Sequence, residues 1–123
     1  MNIYVIDVGT SSMRGILYNE KAEVLMKHQI IQRPSYLGDG RVEEDPADWR
    51  DGLMELLKVL ADFCSGKNLT PDVISLTAQR SSVIPLTEEG EPLAPAIMWQ
   101  DKRTIIYEEK LKDSQDIIFA KTG

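Results

Sequence analysis

The feature that most constrains this chain is its beginning. Residues 3–8 read IYVIDV, a run of β-formers that is apolar on both faces, with Ile3 and Val5 on one side and Tyr4, Ile6 and Val8 on the other. Such a strand belongs in the middle of a sheet, covered on both faces. Gly9 interrupts the run, and residues 13–18 (MRGILY) resume it as a second strand. After the polar stretch NEKAE, residues 24–32 (VLMKHQIIQ) read as a third. Links this short join only antiparallel neighbours, so the first third of the chain is expected to be a three-stranded meander.

The segment RPSYLGDGRVEE reads as a long polar connection to a helix. Asp45 is the expected N-cap, Pro46 suits the first turn, and Asp48 adds an acid at the positive end of the helix. Trp49, Leu53, Leu56, Leu57, Leu60 and Phe63 then recur at helical spacing, and Gly66 is the expected stop. After Pro71, VISLTAQ predicts a buried strand, reached through the helix and parallel to a strand already in the sheet. VIPLTEEGEPLAPAIMWQD predicts a hairpin turning at Glu89-Gly90, kept at an edge by its prolines. Residues 104–112 are again helical in pattern, and DIIFAKTG looks like the start of a further element. The order β-β-β-α-β defines an α/β chain with a mixed sheet and a helix on at least one face.

Composition narrows the function. A chain of 123 residues is one domain by length and can bury a core. Its net charge of −6 argues against general nucleic-acid binding, which needs a basic face, but not against a nucleotide held by local donors. Cys64, the only cysteine, permits no internal disulfide and fits a reducing compartment. No run is apolar and long enough to cross a membrane, and no basic-then-apolar signal peptide opens the chain. The expectation is a cytoplasmic protein without membrane contacts.

Three motifs carry chemistry. In D-V-G-T-S-S-M-R, Gly9 allows a tight turn and close ligand approach, and Thr10, Ser11 and Ser12 offer hydroxyl and amide donors to phosphate oxygens. Arg14 adds a planar charged fork. Asp7 cannot bind phosphate itself, so its functional role would be to hold Mg²⁺, through water, opposite the phosphates. The same residues also fit an ordinary hairpin whose Asp caps the turn. The stretch is neither a G-x-x-x-x-G-K-[ST] loop nor a dinucleotide fingerprint. In T-A-Q-R-S-S, Gln79 and Arg80 lie at a strand end, where open α/β sheets bind ligands. They could read sugar hydroxyls, or Arg80 could simply leave the sheet into water. In M-W-Q-D-K-R, Trp99 and Asp101 could serve as a stacking face and an acceptor for polyols. They also fit a core Trp beside a structural Asp101–Arg103 ion pair. His28 lacks partners at metal-ligand spacing.

Taken together and in this order, the motifs resemble the N-terminal domain of the FGGY carbohydrate kinase family. The resemblance rests on Asp7 to Arg14, on V-E-E-D-P-A-D-W from Val42 to Trp49, on Gln79-Arg80-Ser81-Ser82, and on Trp99-Gln100-Asp101-Lys102-Arg103. It implies an actin-like, ribonuclease-H-like fold, cut short within its first domain, with the rest of that domain and a C-terminal domain absent. It implies transfer of the ATP γ-phosphoryl group to a sugar or polyol hydroxyl, with Asp7 placing Mg²⁺. Gly9, Thr10, Ser11, Ser12 and Arg14 would meet the phosphates, and Gln79, Arg80, Trp99 and Asp101 would lie near the sugar. By the same resemblance, the general base and most of the nucleotide pocket belong to a longer chain, so this one alone should not turn over. Ser81 stands where glycerol kinases carry an acid, and QRSS is not the Met-His-Gly of xylulokinases, so neither substrate is supported. A truncated sheet would leave an open strand edge and an uncovered helix face, for which self-association is the expected remedy. Two other readings remain: a non-catalytic sensor of sugar or nucleotide on the same fold, and a structural interaction module.

Overall fold

The computed structural model describes residues 1–123. The meander forms as expected: β1 (Ile3–Val8) pairs antiparallel with β2 (Ser12–Tyr18), and β2 with β3 (Val24–Ile31). The helix α1 (Pro46–Lys67) starts on Asp45, whose side chain accepts from the Ala47 N–H at 2.9 Å, with Pro46 in the first turn. It carries the chain across to β6 (Val73–Ala78), which lies parallel to β1. The sheet order is β3-β2-β1-β6.

The core lies between this sheet and α1. Tyr4 and Ile6 of β1, Met13 and Leu17 of β2, and Leu56, Leu60 and Cys64 of α1 are all buried in one cluster. Tyr4 lies across Gly15, where any Cβ would collide with the phenol ring, and its hydroxyl donates to the Leu56 carbonyl at 3.1 Å. Burial pushes the Tyr4 phenol above its usual range, with Cys64 adding to the effect.

Several expectations are corrected. The polar connection is a hairpin: β4 (Ser35–Gly38) and β5 (Arg41–Glu44) pair antiparallel, and β5 also pairs with β7 (Ala96–Ile97) in a second, three-stranded sheet. Its turn places Gly38, Asp39 and Gly40 all at positive φ, which glycine and aspartate tolerate best. The main sheet with α1 keeps the expected β-β-β-α-β order, and β4, β5 and β7 add a second sheet to it. The helix stops at Asn68, in the left-handed conformation, and not at Gly66. β1 is covered on one face only, since Ile3, Val5 and Tyr18 line an open depression on the side away from α1.

β6 is not buried either. Ile74 and Leu76 share the register of Tyr4 and Ile6 but are 54% and 66% exposed, because α1 packs over β2 and β3 and stops short of this edge. The 83–97 segment makes the hairpin-like bridges Val83–Ile97 and Leu86–Pro92, turning at Gly90, whose φ is +87°. Beyond Lys102 the helical stretch is broken: a 3-10 turn at Arg103–Tyr107 leads into α2 (Glu108–Leu111), and a second at Lys112–Ser114 separates α2 from α3 (Gln115–Thr122). No helix of the chain is long and apolar enough to cross a membrane.

Candidate functional site

Parallel pairing of β1 with β6 decides where the chemistry gathers. Asp7 stands beside Thr77 and Val8 beside Ala78, so both strands end together and their following loops emerge side by side. The Gln79 N–H donates to the Val8 carbonyl at 2.8 Å, extending the pairing one residue beyond β6. The turn after β1 and the loop after β6 thus meet at the carboxyl ends of the strands, where open sheets bind ligands.

The first motif forms a tight connection. The Gly9 N–H donates to the Ser12 carbonyl at 3.0 Å, and a Cβ on Gly9 would press on that same oxygen. Ser11 is exposed, whereas Ser12 is buried at the start of β2. Asp7 and Arg14, cross-strand partners, form an ion pair at 3.3 Å with both side chains more than a third exposed. Only one Asp7 oxygen takes part, which leaves Oδ1 open to solvent or a hydrated cation. No cluster of His, Cys, Asp and Glu could hold a metal by protein ligands alone. A single carboxylate beside a turn of hydroxyl and amide groups nevertheless fits Mg²⁺, which keeps most of its waters and takes few protein ligands.

The second and third motifs close over the first. Thr10 donates its hydroxyl proton to Gln79 Oε1 at 2.8 Å and accepts the Trp99 indole N–H at 2.9 Å. The Trp99 backbone N–H donates to Ser82 Oγ at 3.2 Å. Ser81 holds a positive φ of 64°, turning the loop so that Arg80, Ser81 and Trp99 line an open hollow of about 390 Å³. Trp99 is 56% exposed, so it is a surface wall and not a core residue. Arg80 takes part in none of the chain's ion pairs, leaving its guanidinium available to the hollow. A smaller cavity of about 190 Å³ lies among Val8, Trp49, Ala78, Gln79, Ser82 and Ile84.

Asp101 lies elsewhere. Its carboxylate accepts from the Val42 N–H at 2.8 Å, from the Arg103 N–H and Nε at 2.9 Å each, and from Arg103 Nη2 at 2.7 Å. Arg103 Nη2 also reaches Glu43 at 2.6 Å. The guanidinium, aided by the two backbone N–H groups, holds the Asp101 carboxyl far below the usual carboxylate range. Asp101 is therefore not among the residues lining the hollow; it fastens the Trp99 segment to β5. Sequence reasoning missed the part played by Glu43 and Val42 in this brace. The Gly-Asp-Gly turn signals only the pairing of β5 with β4, and nothing local signals that of β5 with the Trp99 segment.

Glu44, also on β5, is 3% exposed with neither side-chain oxygen hydrogen-bonded. Desolvation first, and the negative charge of Asp48 second, push its carboxyl up to about 7.

A sequence model described as the FGGY family of carbohydrate kinases, N-terminal domain, matches residues 2–123. The chain is 30% identical over 107 residues to a xylulose kinase of Staphylococcus xylosus, an alignment covering 87% of this chain and 22% of that protein. It is 37% identical over 125 residues to a glycerol kinase of Nitrosomonas eutropha, covering 98% and 25% respectively. Among solved structures, the xylulose kinase from Rhodospirillum rubrum superimposes with a TM-score of 0.85 at 26% identity, over 92% of this chain and 24% of that one. The chain thus spans about a quarter of the length of the relatives it matches.

Proposed function

The chain belongs to the FGGY family of carbohydrate kinases, and on that premise we propose that it is the N-terminal segment of an enzyme that transfers the γ-phosphoryl group of ATP to a sugar or polyol hydroxyl. The observation that carries this reading is the convergence of the Gly9–Ser12 turn, the Gln79–Ser82 loop and Trp99 on one side of the sheet, joined through Thr10. Phosphate donors and a polyol-sized hollow then lie next to each other, as phosphoryl transfer between two bound molecules requires.

In this reading the turn from Gly9 to Ser12 and Arg14 face the phosphates. Asp7, with one carboxylate oxygen free, would help hold Mg²⁺, and the ion would supply neutralisation of charge on the phosphoryl oxygens. Phosphate entry gives Arg14 a second anion to pair with, so its bond to Asp7 is exchangeable and not structural. Arg80 addresses acceptor hydroxyls, with Gln79 behind it, its Oε1 on Thr10 and its Nε2 buried, and Trp99 provides the apolar wall. Asp101 acts from behind that wall. The acceptor oxygen attacks the γ-phosphorus, ADP leaves, and the acceptor proton passes to a base that none of these residues supplies. The isolated chain is therefore expected to bind without turnover. It is also expected to self-associate through the open β6 edge, where Ile74 and Leu76 are bare.

The test is a titration of the ¹⁵N-labelled chain, first with Mg·ADP and then with a panel of sugars and polyols that includes D-xylulose and glycerol. Nucleotide should shift the amides of Gly9 to Arg14, and an acceptor should shift Gln79 to Ser82 and Trp99. A chain silent to every ligand, at millimolar concentration, would make the site a structural junction.

A further inference from the structure

The chain of hydrogen bonds Trp99–Thr10–Gln79 ties together three segments distant in sequence. A threonine hydroxyl has one proton and two lone pairs. The proton goes to Gln79 Oε1, and one lone pair takes the Trp99 indole N–H. None is left to donate to a phosphoryl oxygen. Nor is the link to Gln79 easily exchanged, because Gln79 Nε2 is buried without a partner. Withdrawing the Thr10 proton would leave both ends of that amide unsatisfied, and buried unpaired polar groups are costly. Trp99, for its part, is more exposed than packed. Its ring is oriented chiefly by the bond to Thr10 and by its backbone N–H on Ser82.

Resting on the kinase reading above, we infer that Thr10 is a positioning residue that couples the phosphate turn to the acceptor wall and is not a phosphate ligand through its hydroxyl. Phosphates are met by the backbone N–H groups of the turn, by the Ser11 hydroxyl and by Arg14. A shift of the turn on nucleotide binding reaches Trp99 through Thr10 Oγ1, and reaches the Arg80 loop through Gln79. The coupling is reciprocal: an acceptor that clamps Trp99 steadies the turn for nucleotide.

The two tryptophans, Trp49 and Trp99, give two indole N–H resonances through which the relay can be read in the ¹⁵N-labelled chain. In Thr10→Val, which keeps the shape and removes the hydroxyl, the Trp99 indole proton should exchange on the order of tenfold faster, as loss of one hydrogen bond predicts. The Trp49 resonance should not change, and Thr10→Ser should restore slow exchange. In the wild-type chain, Mg·ADP should shift the Gly9 amide and the Trp99 indole together, and in Thr10→Val the Gly9 amide alone. A wild-type titration in which Gly9 shifts while the Trp99 indole stays still overturns the coupling, and it needs neither variant. A Thr10→Val chain that loses the Gly9 response yet keeps slow Trp99 exchange makes the hydroxyl a phosphate ligand after all. If Mg·ADP moves no resonance, the phosphate reading of the turn falls, while the exchange comparison still decides whether the relay exists.

Discussion

Arg103 grips Asp101 in a fork, Nε on Oδ1 at 2.9 Å and Nη2 on Oδ2 at 2.7 Å, while the same Nη2 holds Glu43 at 2.6 Å. This geometry joins the segment after Trp99 to strand β5 and sets the rear of the proposed acceptor wall. Planar two-point pairing is specific to arginine. Arg103→Lys should therefore lower the thermal midpoint and loosen Trp99, seen as faster exchange of its indole proton, and Asp101→Asn should do the same. Because the folded state holds the Asp101 carboxyl below its ordinary value, its contribution is present above that ordinary value and is lost as pH falls through the lower folded one. The difference between wild type and Asp101→Asn should thus persist across neutral and mildly acidic pH and shrink only in strong acid. Circular dichroism melts over that range check it.

Glu44 has the opposite sign. Its carboxyl is raised to about 7, so its contribution is greatest below its ordinary value of 4.5 and declines as pH climbs through 7. Glu44→Gln keeps the shape and cannot ionise. It should match wild type near pH 5 and exceed its stability above pH 8 by on the order of 2 kcal/mol. Urea unfolding at the two pH values measures this; equal pH dependence of the two proteins would show that Glu44 reaches solvent.

Gly15 has no room for a side chain, since a Cβ there would overlap the Tyr4 ring. Gly15→Ala should destabilise by about 1–3 kcal/mol, the usual range for forced overpacking. Tyr4→Phe removes the closest atom but leaves the ring carbon beneath it, so the double variant should recover only part of the loss. Denaturant midpoints of the two single variants and the double variant are the measurement.

Asp7→Asn separates stability from function. The Asp7–Arg14 pair is more than a third exposed on both sides, so its loss should change stability by no more than about 1 kcal/mol. The amide shifts induced by Mg·ADP should nevertheless weaken markedly, and shifts induced by ADP with EDTA should not weaken further. Equal weakening under both conditions would place Asp7 outside any cation site.

Much of this was legible beforehand. The meander followed from the apolar pattern and the short links, and Asp45-Pro46 marked the start of α1 from its side-chain chemistry alone. The Gly9–Ser12 turn and the Gln79-Arg80 loop could be marked as candidates from residue type, and the structure brings the two together. The β4–β5 hairpin was missed because its strands are short and polar, with only Val42 and Glu44 turned inward, too little for a period of two to register. β6 was expected to be buried because VISLTA is apolar, but apolarity says what a strand prefers and not what is available to cover it.

The amino-acid sequence by itself determined the local elements, since strand alternation, helix capping and left-handed turns depend on residues within a few positions of one another. It also marked Asp7, Thr10, Arg14, Gln79, Arg80, Trp99 and Asp101 as candidates for the chemistry, by residue type and position. Only the tertiary structure decided how that set divides. Thr10, Gln79 and Trp99 share one relay, Asp7 and Arg14 pair across β1 and β2, and Asp101 turns away to brace β5. The reason is geometric: hydrogen bonds act over about 3 Å, and which donors come that close is set by the parallel register of β1 and β6 and the return of β7 onto β5.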